Sequence, residues 1–322
     1  MSKLSNFYRL VQNENMKIVH RPRTWAMVGV LILSLLSLTA ILKIDQNPNI
    51  QNNNWKQHLI EMNQRLQQQI DEKSAGASQD MKLQLEGEIN KNLYYIEHNV
   101  NPYEVTIWSV VNGASSLLVL ITLLTVIVAA DMLAAEYSWG TIKLLLVGPA
   151  SRTKILFSKY ISTLLFALFL LVLNFIASFA LGGIVDGFGA VSRPSLAIGA
   201  GGMVEEGSML IAVVQNYGFK AIELMMYVTM AFMISASFRS SSMAIAFSLL
   251  FMLLGNSMVS MLSKYEWVKY LLFANVNLSQ HISGTPIRPD MTMLFSVSVL
   301  LVYFAAFHFV SWIVFTKRDV AG

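Results

Sequence analysis

The side chains that could carry chemistry are dispersed along this chain. Five histidines, His20, His58, His98, His281 and His308, never come into H-E-x-x-H or another close ligand spacing. Cysteine is absent, which removes thiolate metal sites and disulfides. There is no G-x-x-x-x-G-K-[ST] phosphate loop and no G-x-S-x-G nucleophile elbow. We therefore expect no catalytic residue, no metal, no cofactor and no ATP site in this chain. Apart from Glu223, near one end of the fourth apolar run, carboxylates lie between the runs, not inside them as proton relays do. Asn174 and Asn256 do fall inside apolar runs. Each is a candidate to line a translocation path, and interhelical hydrogen bonding is the plainer reading.

The most informative polar stretch is 131–159, which includes Asp131, Glu136, Trp139, Gly140, Thr141, Lys143, Pro149, Arg152, Lys154 and Lys159. It is too long for a bare turn. Short helices are expected near 132–138 and 141–147, then a Gly148-Pro149 break. Short helices lying across a membrane face suit docking into a partner's groove, with Glu136 and Lys143 placed to fix it by charge-assisted hydrogen bonds. The plain alternative is a basic segment that only sets topology.

Those residues must be held by membrane helices. Hydrophobic residues make up 55% of the 322 and charged residues only 13%, against about 25% in an ordinary soluble domain. Six runs are long and apolar enough to cross a bilayer: Trp25–Leu42, Ile107–Ala130, Ile155–Leu181, Phe219–Phe238, Met243–Leu262 and Thr292–Phe315. In the fourth, Lys220 and Glu223 can pair one turn apart. With the N-terminus inside, segments 1–23, 131–159, 237–241 and 316–322 hold 12 of the 23 basic residues in 64 positions. The outer segments 44–105, 182–218 and 263–290 hold nine in 127. Both termini are thus expected in the cytoplasm. No cleavable signal peptide is expected, because the first apolar run follows a long basic stretch. The net charge of +4 forms no single stripe, which argues against nucleic acid.

The expected architecture is an all-α, polytopic membrane protein. Residues 1–24 form an interfacial elbow helix, with Leu4, Phe7, Tyr8 and Val11 at helical spacing. Arg9, Lys17, Arg21 and Arg23 face anionic headgroups, and Pro22 breaks the path. The alternative is a frayed basic terminus. The first span occupies 25–44. Residues 45–105 form an extracellular insertion. In it Trp55, Leu59, Met62, Leu66 and Ile70, then Met81, Leu85, Ile89, Leu93 and Ile96, predict a helical hairpin around a break at 74–78. The second span is 106–130 and the coupling region 131–154. Residues 155–322 hold the other four spans, with outer loops 182–218 and 263–290. Segment 182–218 carries nine of the 18 glycines and reads as a loop or a partly re-entrant segment.

The pattern Glu136…Gly140-Thr141…Leu144-Leu145…Pro149…Arg152…Lys159 resembles the cytosolic coupling region of type-2 ABC exporter permeases. Glu14…Lys17-Ile18…Arg21-Pro22-Arg23-Thr24-Trp25 is similar to their N-terminal connecting helix, and Phe315-Thr316-Lys317-Arg318-Asp319 to their ending. The large 45–105 insertion looks like that of Gram-positive permeases for peptide-antibiotic resistance or sodium extrusion. The resemblance implies a plasma-membrane export permease that dimerises with the same or a sister chain. It also implies separate ABC ATPase subunits, coupled through Glu136, Trp139, Gly140, Thr141, Lys143, Pro149 and Arg152. The rival readings are an ATP-independent channel or carrier, and an intramembrane enzyme or scaffold.

Overall fold

A computed structural model describes residues 3–44, 54–73, 79–148, 150–199, 202–282 and 286–317. Six of its helices are long and apolar enough to cross a membrane. The chain divides into two compact units. One comprises Met1–Ile32, Ser116–Asn174 and Asn216–Gly322; the other comprises Leu33–Ser115 and Phe175–Gln215.

In chain order, α1 is Lys3–Val19, α2 is Pro22–Ile44, α3 is Trp55–Lys73 and α4 is Gln79–Glu97. Then come α5, Ile107–Ser115, α6, Leu118–Ser138, α7, Ile142–Val147, and α8, Arg152–Asp186. A two-stranded sheet follows, β1 at Pro194–Ile198 and β2 at Val204–Ser208. The chain ends with α9, Met209–Ser237, α10, Ser241–Leu262, the single turn α11, Leu272–Asn275, and α12, Met293–Lys317. The spanning helices are α2, α6, α8, α9, α10 and α12.

Several expected boundaries move. The run expected as one span over 106–130 is two helices, α5 and α6, and only α6 is long enough to cross. The low helix propensity of Asn112-Gly113-Ala114-Ser115-Ser116 explains the break. Ser115 Oγ there turns back to donate to Asn112 O at 2.6 Å. At its other end α6 runs eight residues past Ala130, so no separate helix forms over 132–138. A carboxylate at 131 reads as a span end. Here it is buried against cations, and Met132, Leu133, Ala134 and Ala135 remain buried beyond it. The third span lengthens to 35 residues, about 52 Å of helix. The fourth begins ten residues earlier than expected, and its Lys220–Glu223 pair closes at 2.8 Å.

Within the Leu33–Ser115/Phe175–Gln215 unit, α3 and α4 form the expected pair. Trp55, Leu59 and Ile70 are buried, and Asn92 Nδ2 donates to Asn63 Oδ1 at 2.7 Å. The break at 74–78 lies outside the described residues. Segment 182–218 departs from an all-α fold, because β1 and β2 pair antiparallel from Pro194↔Ser208 to Ile198↔Val204. Gly202, at φ +75°, turns the chain between them. Asn90 on α4 donates to Gly202 O at 2.9 Å, and Tyr94 to Glu206 at 2.7 Å, so the hairpin sits on that helix.

In the other unit, α10 packs along α6. Ser235 Oγ on α9 accepts from the backbone N–H groups of Leu133 and Ala134 at 3.0 and 3.1 Å. Residues 263–282 and 286–290 form short turns around a core of Val259, Val268, Ala274 and Met291.

Candidate functional site

The site is built where α1 meets the ends of α6 and α8. The face that α1 buries is Val11, Glu14 and Ile18, spaced i, i+3, i+7, while Tyr8 stays exposed. Putting Glu14 on that face buries a carboxylate, which must then find a cation. Lys159, eight residues into α8, supplies it: its side chain is 2% exposed, and Nζ lies 2.8 Å from Glu14 Oε2. The same Nζ lies 2.8 Å from Glu136 Oε1 on α6. Lys17 pairs with Glu14 at 2.7 Å and approaches Glu136 at 3.7 Å. Thr141 Oγ1 donates to Glu136 Oε2. Two carboxylates and two ammonium groups thus tie three helices together, and Ser162 Oγ adds a bond to Val11 O at 3.1 Å.

A second node lies at the bend between α1 and α2. Asp131 is 2% exposed and accepts from Arg21 at 3.1 Å, from Arg23 and from Ser241 Oγ at the start of α10. Burial, and next the neighbouring Arg23, pull the Arg21 guanidinium below its ordinary value, while Asp131 pulls it up. Two guanidinium groups share one carboxylate here.

Beyond the first node the chain turns outward. Trp139 ends α6, and Gly140 takes φ +71°, a conformation that favours glycine. The short α7 follows, on which Lys143, Leu144 and Val147 are exposed, the last two by 79% and 87%. Trp139 is 64% exposed, with the Arg21 guanidinium 5.3 Å from its ring centroid. Arg152 Nη1 donates to Thr316 O at 2.9 Å, joining the start of α8 to the end of α12. This arrangement offers an apolar surface on a segment held firmly by charge.

The sequence-expected residues thus separate. Glu136 and Thr141 turn into the buried network instead of outward; Trp139, Gly140 and Lys143 stay exposed, and Pro149 lies outside the described residues. Of the interfacial set, Phe7 is half-buried, Arg9 exposed and Val11 buried, while Lys17, Arg21 and Arg23 are engaged with carboxylates. Asn174 is fully buried in α8 and accepts from Tyr217 Oη at 2.8 Å, an interhelical bond with α9. Asn256 is exposed on α10. Sequence reasoning missed the pairing of Lys159 with Glu14. The available signal was a lysine one turn inside the apolar run Ile155–Leu181, where a charge requires a counter-charge.

Residues 83–321 match the model of the family described as "Protein of unknown function (DUF2705)". The chain is 39% identical over 316 residues to "Uncharacterized protein YhcI" of Bacillus subtilis (strain 168), covering 97% of this chain and 99% of that protein. It is 29% identical over 208 residues to "Uncharacterized membrane protein YdbK" of the same organism, covering 64% of this chain and 80% of that one. Together with the six long apolar helices, these matches identify a multi-pass membrane protein.

Proposed function

The chain belongs to the DUF2705 family, and we propose, from its sequence pattern and the geometry of the site, that it is the permease subunit of an ATP-driven exporter of the type-2 ABC kind. It works as a dimer of permease chains in the plasma membrane, with separate ATPase subunits at its cytoplasmic face. One observation carries this reading. The segment with exposed Trp139, Leu144 and Val147 is anchored through Glu136 to buried Lys159, and through it to Glu14. A partner pressing on that surface moves α6, α8 and α1 together, because breaking the network would leave charges buried and unpaired. The chain itself contributes a free-energy difference between inward-open and outward-open states, and no bond chemistry.

On this reading both termini are cytoplasmic and α1 lies in the inner interface. The α3–α4 pair and the β-hairpin stand outside the cell. Asn174 holds α8 to α9 through its bond with Tyr217.

The test is a mild-detergent pull-down of the tagged chain, with ATPase activity assayed and co-purifying chains identified. The expected result is a phosphate-loop ATPase that Leu144→Asp or Val147→Asp releases while the permease still inserts. Transport by the purified chain alone in liposomes, without ATP, would overturn the reading in favour of a channel or carrier.

A further inference from the structure

A cavity of about 380 Å³ opens at the bend between α1 and α2, against the outer side of α8. Its lining is Asn15, Ile18 and Val19 from α1, Thr24, Trp25 and Val28 from α2, and Leu165, Phe166 and Phe169 from α8. The rim is open and apolar: Val19, Trp25, Leu165 and Phe169 are each exposed by more than two fifths, while Ile18, Thr24 and Phe166 are buried at the floor.

The cavity is built, not left over. Ending α1 at Val19 frees carbonyls that would make this space polar. They are answered locally: Thr24 Oγ1 donates to Ile18 O at 2.6 Å, Arg21 N to the same oxygen at 3.3 Å, and Trp25 Nε1 to Val19 O at 3.0 Å. The Trp25 ring is thereby pinned as one wall. The space is suited to hydrocarbon and offers water little to bind.

Charge at the bend points to what sits above the hydrocarbon. The carboxylates Glu14 and Glu136 balance Lys17 and Lys159. Asp131 pairs with both Arg21 and Arg23, so among these described residues three carboxylates meet four cations, which leaves one net positive charge. Arg23 Nε is also buried without a hydrogen-bond partner among the described residues. The first 25 residues carry five basic groups and one acidic group, a surplus equal to the whole chain's +4.

We propose that this cavity binds one anionic phospholipid of the bilayer, with an acyl chain between Trp25, Val28 and Phe169 and its phosphate against the Arg21–Arg23 bend. A cavity open sideways at the end of an apolar span is in reach of the lipid, and a cationic bend selects negative headgroups. The lipid completes the contact that α1 makes with α2 and α8. The inference rests on the chain being a membrane protein and is independent of the exporter reading.

The experiment is native mass spectrometry of the detergent-purified, delipidated full chain, titrated with phosphatidylglycerol, phosphatidylcholine or glycerol phosphate. The expected result is one tightly held phosphatidylglycerol per chain, preferred over phosphatidylcholine by roughly tenfold, and no retention of glycerol phosphate. Val28→Trp, which fills the cavity, should abolish that binding, while Leu301→Trp on the exposed face of α12 should not. Equal retention of the two lipids by the wild-type chain would overturn the proposal, and that arm needs no variant to fold. Unchanged binding in a folded Val28→Trp chain would also overturn it, placing the lipid elsewhere.

Discussion

Lys159 and Glu136 meet at 2.8 Å across two helices, one residue with a side chain 2% exposed and the other 13% exposed. Glu14 stands at the same distance from that ammonium group, so the buried lysine has two counter-charges. The pair decides what substitutions at the site mean. Glu136→Lys would set a third cation beside Lys159 and Lys17, so losing partner binding in that variant would report a broken fold as readily as a broken docking surface. The exposed side chains Leu144 and Val147 are the cleaner probes.

Replacing Lys159 with methionine should be strongly destabilising, because Glu14 and Glu136 lose their shared cation. A loss of about 3–5 kcal/mol is expected. The triple variant Glu14→Gln, Lys159→Met, Glu136→Gln should recover most of it, since removing all the buried charges together is close to neutral. Thermal unfolding of the detergent-purified protein measures both, and equal loss in the single and triple variants would contradict the network's role.

Leu144→Asp should leave the fold within about 0.5 kcal/mol of the parent chain, as expected for a side chain that contacts mainly solvent. Its effect should appear only in ATPase retention. A large drop in melting temperature would mean that α7 packs within the chain.

Two glycine-to-alanine changes should have opposite signs. At Gly182 an added Cβ would lie 2.8 Å from Ile107 Cα and 3.0 Å from its carbonyl oxygen, backbone atoms that cannot step aside. Overpacking there costs about 1–3 kcal/mol, more than the helix-propensity gain of up to about 1 kcal/mol. At Gly218, within α9, nothing lies within 4 Å, so Gly218→Ala should raise stability. Melting temperatures of the two variants decide the point.

His281 lies 2.9 Å from Ser296 Oγ, and burial lowers its pKa below the ordinary 6.5. The unfolded chain therefore takes up this proton first as pH falls. The histidine's contribution is complete above about pH 6.5 and is lost as the pH drops below it. Unfolding measured at pH 8 and pH 5.5 should show that loss, and His281→Gln should remove the part due to this residue. An unchanged difference in the variant would assign the pH dependence elsewhere.

Much of this architecture was legible along the chain. Runs of some twenty apolar residues leave few alternatives to membrane helices, since a bilayer satisfies no backbone hydrogen bond from outside the segment. The three- and four-residue spacing over 55–70 and 81–96 likewise predicted α3 and α4, because a helix repeats every 3.6 residues. The hairpin at 194–208 was not legible. Its five-residue strands are stabilised by pairing with each other and by Asn90 and Tyr94, more than a hundred positions away.

The candidate site divides the same way. Composition and periodicity alone determined that this is a helical membrane protein, that a polar segment joins the helices now seen as α6 and α8, and that nothing along it resembles a catalytic or metal motif. Only the tertiary structure decided which charges face inward. Glu136 and Lys143 are equally polar in the sequence, yet Glu136 is held inside the chain and Lys143 is exposed. The physical reason is that a buried charge is tolerable only beside its counter-charge. For Lys159 those counter-charges come from positions 14 and 136, which only the folding of α1 and α6 against α8 brings within 2.8 Å.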